Sequence, residues 1–207
     1  RKTAIPRITH RMQQFIATEV HGMSRKSHWE KVYGEKPVDQ VSWFQAEPRV
    51  SLALIEAAGL GKQDRIIDIG GGASVLVDFL LQRGYRHPAV LDISAAALAH
   101  ARARLGARAD QVEWQEADVT EFTPAREFSL WHDRAVFHFL THAADRVKYR
   151  QVLESALLPR GQVIIATFAK GGPEKCSGLD IVQYDAASLG APFFVMERVD
   201  GLVPPDV

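Results

Sequence analysis

Four short stretches of this 207-residue chain combine residue types that can bind or react. The first, Asp68-Ile69-Gly70-Gly71-Gly72-Ala73-Ser74, sets a carboxylate before a glycine triplet. Glycines there let backbone approach a ligand closely and turn into a helix, whose N-terminus favours a carboxylate or phosphate. The second is Asp92, 20 residues beyond Gly72, a spacing at which a carboxylate accepts hydrogen bonds from ribose hydroxyls. The third is Glu116-Ala117-Asp118-Val119, where an acid can accept from an adenine amino group while the next backbone N–H donates to the ring. The fourth runs from Leu130 to Phe139 and holds His132, Asp133, Arg134 and His138. His132 or Asp133 is suited to remove a proton, and Arg134 to bind a carboxylate through two parallel bonds. The plain alternatives are an ion pair between Asp133 and Arg134, and a satisfied, half-buried His138.

Stepping between these stretches are the elements that must carry them. Short apolar runs at Arg65–Ile69, Ala89–Ile93, Gln111–Trp114, Glu127–Trp131 and Gln162–Phe168 predict strands. Helices are predicted over Arg49–Ala58, Ala73–Arg83, Ser94–Leu105 and around Tyr149–Leu157, each closed by a glycine or proline signal. Strands separated by helices in this way predict right-handed βαβ units and an α/β fold, a doubly wound, mostly parallel Rossmann-like sheet with helices on both faces. Ligands of such sheets bind at the carboxyl ends of the strands, where all four stretches fall. Phe193–Met196 is a candidate sixth strand, with no clear seventh, so the C-terminal hairpin is expected to be incomplete.

Composition narrows the classes. Lys and Arg number 25, as do Asp and Glu, so no charge excess draws the chain to nucleic acid or a membrane surface. The single cysteine, Cys176, excludes an intrachain disulfide and suits a reducing, cytoplasmic setting. Its place after the fifth strand suits a small residue lining a pocket. His138 and His142 are four apart, yet the glutamate of a zinc-protease motif is missing between them, and no metal is expected. The aromatics Trp29, Tyr33, Trp43 and Phe44 fall outside the predicted sheet and are expected either to form a lid over the ligand, with cation–π attraction to a positive centre, or to pack an extra helix. The expected organisation is an N-terminal extension over 1–22, helical or non-native, lid helices over 23–60, a ligand-binding domain over 61–200 and a tail over 201–207.

With DIGGGAS, VLDIS, EADV and LPRGQVIIATF in this order, the chain resembles the class I S-adenosylmethionine (SAM)-dependent methyltransferases over roughly Trp29–Phe168. The resemblance implies Asp68, Gly70, Gly71, Gly72 and Ser74 near the methionine moiety, Asp92 with Ile93 at the ribose, and Asp118 with Val119 at the adenine. It implies SAM as cofactor and S-adenosylhomocysteine (SAH) as product. Ser74 stands where a third glycine is common and is small enough to keep the turn. His132 is expected to touch ligand, His132, Asp133 and Arg134 to form the catalytic set, and Trp29, Tyr33, Trp43, Phe44 and His138 to shape the acceptor side. The rival ligand is NAD, whose fingerprint needs glycine at 75, where Val75 stands. Neutral charge and a loop without proline after strand four disfavour a nucleic-acid acceptor. Asp133-Arg134-Ala135-Val136 replaces the Asp-Lys-Gly-Thr of similar protein-lysine methyltransferases. A small-molecule acceptor, methylated without metal, is therefore the expectation; a protein lysine, an NAD-linked oxidoreductase and a non-catalytic SAM-binding module are the alternatives.

Overall fold

The computed structural model describes residues 24–189 and 194–195; the expectations for 1–22, a seventh strand and the 201–207 tail lie outside them. Helix α1 (Arg25–Glu35) leads through a short 3-10 turn to α2 (Arg49–Ala57). Then β1 (Arg65–Ile69), α3 (Leu76–Gln82), β2 (His87–Asp92), α4 (Ala95–Leu105) and β3 (Glu113–Glu116) alternate. After them come β4 (Phe128–Arg134), α5 (Ala143–Ala156) and β5 (Leu157–Ala166). A hairpin of β6 (Lys175–Cys176) and β7 (Leu179–Asp180) precedes α6 (Ala186–Leu189) and β8 (Phe194–Val195).

The main sheet runs β3-β2-β1-β4-β5-β8 and every pairing in it is parallel. Order reverses between β1 and β4, which opens a crevice at the carboxyl ends of those strands. Alternation along the strands sorts side chains onto two faces. Ile66, Leu130 and Ile164 pack with Leu52 and Ile55 of α2 and Leu76 and Leu80 of α3. Ile67, Trp131, Val163 and Ile165 pack on the other face with Tyr149 and Leu153 of α5. Both faces are covered, so the strands read as continuous apolar runs rather than as alternating ones.

Several boundaries differ from expectation. Helix α3 begins at Leu76 rather than Ala73, because the glycine turn runs on to Val75 and the Ser74 hydroxyl accepts from the Leu76 N–H at 3.1 Å. Strand β3 starts two residues late because Gly106–Gln111 winds into a 3-10 turn, to which the Trp114 indole is tied at Ala109. Strand β5 begins at Leu157 and carries a bulge: Phe128 pairs with Leu157 but Leu130 with Gln162, and Arg160 sits at φ 69° between them. The hairpin, unforeseen in the sequence, turns on Ser177 and Gly178, both at positive φ as a primed turn requires. Most consequential, β4 continues to Arg134, so the stretch expected as a reactive loop is half strand.

On the α5 side a buried relay joins β4 to its helix. Trp131 Nε1 donates to the Tyr149 hydroxyl at 2.8 Å, and that hydroxyl donates to Asp133 Oδ2 at 2.6 Å. Tyr149→Phe leaves the indole N–H and one carboxylate oxygen without partners in a fully buried site, at a cost of roughly 2–4 kcal/mol. Thermal unfolding should show Tm lowered by about 5–10 °C; an unchanged Tm would contradict the relay's structural role.

Candidate functional site

The glycine turn is shaped by two carboxylates beneath it. Gly72 N–H donates to Asp92 Oδ2 at 2.9 Å and Ser94 N–H to Asp92 Oδ1 at 2.9 Å, so the two motifs 20 residues apart meet directly. A Cβ on Gly72 would stand 2.6 Å from Asp92 Oδ2 and 2.6 Å from the Ala97 methyl; one on Gly71 would stand 2.3 Å from Asp68 Oδ2. Gly70 combines φ 67° with a Cβ position only 2.1 Å from Val136. Each glycine is thus required by close approach. Arg104 of α4 braces the far end of the turn, donating to the Ser74 carbonyl at 2.6 Å while pairing with Asp78 at 2.7 Å. Burial pushes the Asp92 carboxyl up to about 6, against the opposing pull of the Ser94 and Gly72 N–H bonds.

Strand register decides where the His-Asp-Arg triplet goes. Asp68 lies beside His132 and Ile69 beside Asp133 across the β1–β4 pairing. The His132 imidazole therefore meets its neighbour on the same face, Nδ1 donating to Asp68 Oδ1 at 2.7 Å, while Nε2 lies at hydrogen-bond distance, 2.9 Å, from the Ser51 hydroxyl of α2. It is 1% exposed and is absent from the cleft wall, contrary to the expectation that it touches ligand. Asp133 turns to the other face. Its Oδ1 accepts from Val136 N–H at 2.8 Å and Phe137 N–H at 3.3 Å, its Oδ2 is occupied by Tyr149, and burial pushes its carboxyl up to about 6. Asp133 is a fixed cap for the turn over Phe137–Phe139, away from the cleft. Neither the ion pair Asp133–Arg134 nor a shared catalytic position forms, because consecutive strand residues point to opposite faces. Arg134 alone of the three lines the cleft.

His138 is fully buried beside Phe139 and Phe168 and pushed down to about 3 by that burial, so it is a neutral ring in the core rather than part of the acceptor wall. Among the described residues no group of three or more His, Cys, Asp or Glu is arranged to hold a metal ion.

Many of the remaining expected residues meet around one cleft of about 780 Å³, its open mouth included, while Asp68, Gly71 and Gly72 lie behind its lining. Gly70, Asp92, Ile93, Asp118 and Val119 form its floor and side. Ser74 lies outside, in an adjoining groove with Gly70, Ala73 and Val75. Trp29, Tyr33 and Trp43 roof the cleft as a mutually packed aromatic set that also meets Phe139, with Trp29 5.7 Å from Trp43 and 5.2 Å from Phe139 between ring centres. Phe44 faces the adjoining groove instead. Cys176 stands in the cleft wall with its thiol pushed up to about 11 by burial, which keeps it neutral.

Three contributors carried no local signal. Arg25 pairs with Asp118 at 3.1 Å and Asp145 at 3.4 Å; Glu30 accepts from Ala95 N–H at 2.6 Å and Ala96 N–H at 3.2 Å, capping α4; Ser51 holds His132. All three bond to residues 65 or more positions away, or in Arg25's case over 90, where no spacing rule reaches. Arg25 and Glu30, together with Lys26 on Glu116, strap α1 across the carboxyl ends of β2 and β3.

A family model described as a methyltransferase domain matches residues 66–161. Among curated proteins no sequence match was found. Of solved structures, an S-adenosylmethionine-dependent methyltransferase from Clostridium acetobutylicum shares 14% identity at a TM-score of 0.50, over 73% of this chain and 55% of that one. DhpI in a complex with SAM and HEP shares 20% at 0.50, over 69% and 66%. The N-methyltransferase NodS from Bradyrhizobium japonicum, in complex with SAH, shares 19% at 0.54, over 65% and 70%. The chain spans 55% of the length of the first of these structures and 66% of the second. Residues 66–161 thus match a methyltransferase-domain model, and the sheet order together with the similar solved structures gives the chain the class I, Rossmann-like methyltransferase fold.

Proposed function

We propose that the protein is a SAM-dependent methyltransferase that methylates a small molecule without a metal ion. One observation carries the reading: Asp118 with Val119, Asp92 with Ile93, and Gly70 line a single cleft in that spatial order, at the carboxyl ends of β3, β2 and β1. That order matches adenine, ribose and amino-acid tail. Asp92 fits the ribose because each of its oxygens accepts one backbone N–H and retains a second lone pair for a hydroxyl. The similar solved structures with SAM or SAH bound support the same cofactor.

SAM supplies a methyl group on a sulfonium, whose sulfur keeps the C–S electron pair as the acceptor's lone pair forms the new bond. The protein's part is to hold the acceptor on that axis and exclude water. Trp29, Tyr33, Trp43 and Phe139 do both, and their ring faces favour the positive sulfonium. The enclosed aromatic roof supports a small acceptor over a protein side chain. The thiol of Cys176 and the hydroxyl of Tyr33 are both pushed up by burial, so neither is a ready base. The reading therefore places the acceptor in the class that enters with its lone pair already free.

Calorimetric titration tests the cofactor. SAH should bind at micromolar concentration while NAD gives no heat; silence with SAH, or binding of NAD, would overturn the reading. A pH series tests Asp92. Ribose hydroxyls donate to the ionised carboxylate, and Asp92 in the free protein gains its proton near pH 6. Lowering the pH through that value must therefore weaken SAH, by roughly tenfold at pH 5 relative to pH 8. Asp92→Asn should be weak at both ends of the range and nearly flat between them. Equal affinity of the unsubstituted protein at pH 5 and pH 8 would remove Asp92 from the ribose.

A further inference from the structure

We propose that Arg134 is the receptor for the carboxylate of the cofactor's methionine tail. The assignment rests on the cofactor reading above and extends it to a residue outside the glycine and acid motifs.

The guanidinium is under-partnered where it stands. Its two terminal nitrogens both reach the Trp43 carbonyl, each at 3.3 Å, and among the described residues no carboxylate lies within ion-pair distance of it. Burial pulls the basicity of Arg134 down, against the opposing pull of the Asp68 carboxylate. A half-buried cation with most of its five donors free is costly, and a planar fork of this kind fits a carboxylate through two parallel bonds.

Its position selects which carboxylate. Ile69 pairs with Asp133 in register, so Gly70 and Arg134 are the next residues along two adjacent parallel strands. Both line the main cleft, and both line the groove that follows the glycine turn past Ala73, Ser74 and Val75. Arg134 also falls on the same sheet face as Asp68 and His132, the face against which the glycine turn is packed. The row from Asp118 through Asp92 ends at Gly70, so the end of the cofactor that carries a carboxylate is the end at which Arg134 stands. An acceptor's anion would have to share that end with the tail.

The test compares two ligands that differ in the tail: SAH, and 5′-methylthioadenosine, which keeps the adenosine and sulfur but lacks the amino-acid portion. Calorimetry on Arg134→Met should show SAH weakened roughly tenfold to hundredfold, the range of a charge-assisted bond, with 5′-methylthioadenosine changed less than about twofold. Arg134→Lys keeps the charge without the fork, and should lose SAH affinity to a smaller degree with 5′-methylthioadenosine again unaffected. If the methionine variant does not fold, the lysine variant carries the comparison alone. Unchanged SAH affinity, or equal losses on both ligands, would overturn the assignment while leaving the cofactor reading intact. Silence of the unsubstituted protein toward both ligands would overturn that reading and this assignment with it.

Discussion

The hydrogen bond from Gly72 N–H to Asp92 Oδ2 is the constraint on which the rest of the site depends. It fixes the glycine turn against the end of β2 at a distance that no side chain at position 72 would permit, and it orients the carboxylate that lines the cleft. Asp68 packs closely beneath Gly71 without a hydrogen bond to it, and is held in turn by His132, which Ser51 holds from α2. A chain of buried polar contacts therefore runs from a helix on the sheet's outer face to Asp68, on which the turn is packed. Within a low-dielectric interior such contacts are strong when complete and costly when broken.

Parity along β4 then assigns the roles. His132 and Arg134 fall on the glycine-turn face, Asp133 on the α5 face. Three consecutive residues that read together as a reactive set are separated into a support for Asp68, a cap for the Phe137–Phe139 turn and a cation at the cleft. A single residue of register would exchange these assignments. The apolar packing of Ile66 against α3 and of Ile67 and Trp131 against α5 excludes that slip.

Much of this was legible in the residues. Glycine runs, β-branched runs and helix caps are local signals, and they located β1, β2, α4 and the cleft's three acid-bearing ends; the Ser94 cap forms as its position suggested, its hydroxyl accepting from Ala97 N–H at 3.1 Å. What was not legible is long-range. Whether β4 ends at Trp131 or Arg134 depends on pairing with β1 and β5, not on β4's own composition, and that boundary moved His132 and Asp133 from loop to core. The strap formed by Arg25, Lys26 and Glu30 depends on where α1 lies over β2 and β3, which its own sequence does not encode. The hairpin over Lys175–Asp180 turns on a serine at positive φ, a position usually marked by glycine or asparagine.

The aromatic roof and the polar floor meet in one cleft, and the central claim is that a single nucleoside ligand spans that floor from Asp118 to Gly70. A crystal structure of the protein with SAH tests it most directly. The account predicts the adenine amino group on Asp118, both ribose hydroxyls on Asp92 and the amino-acid tail over Gly70. Density for the ligand elsewhere on the chain, or in the cleft with its ribose away from Asp92, would contradict it.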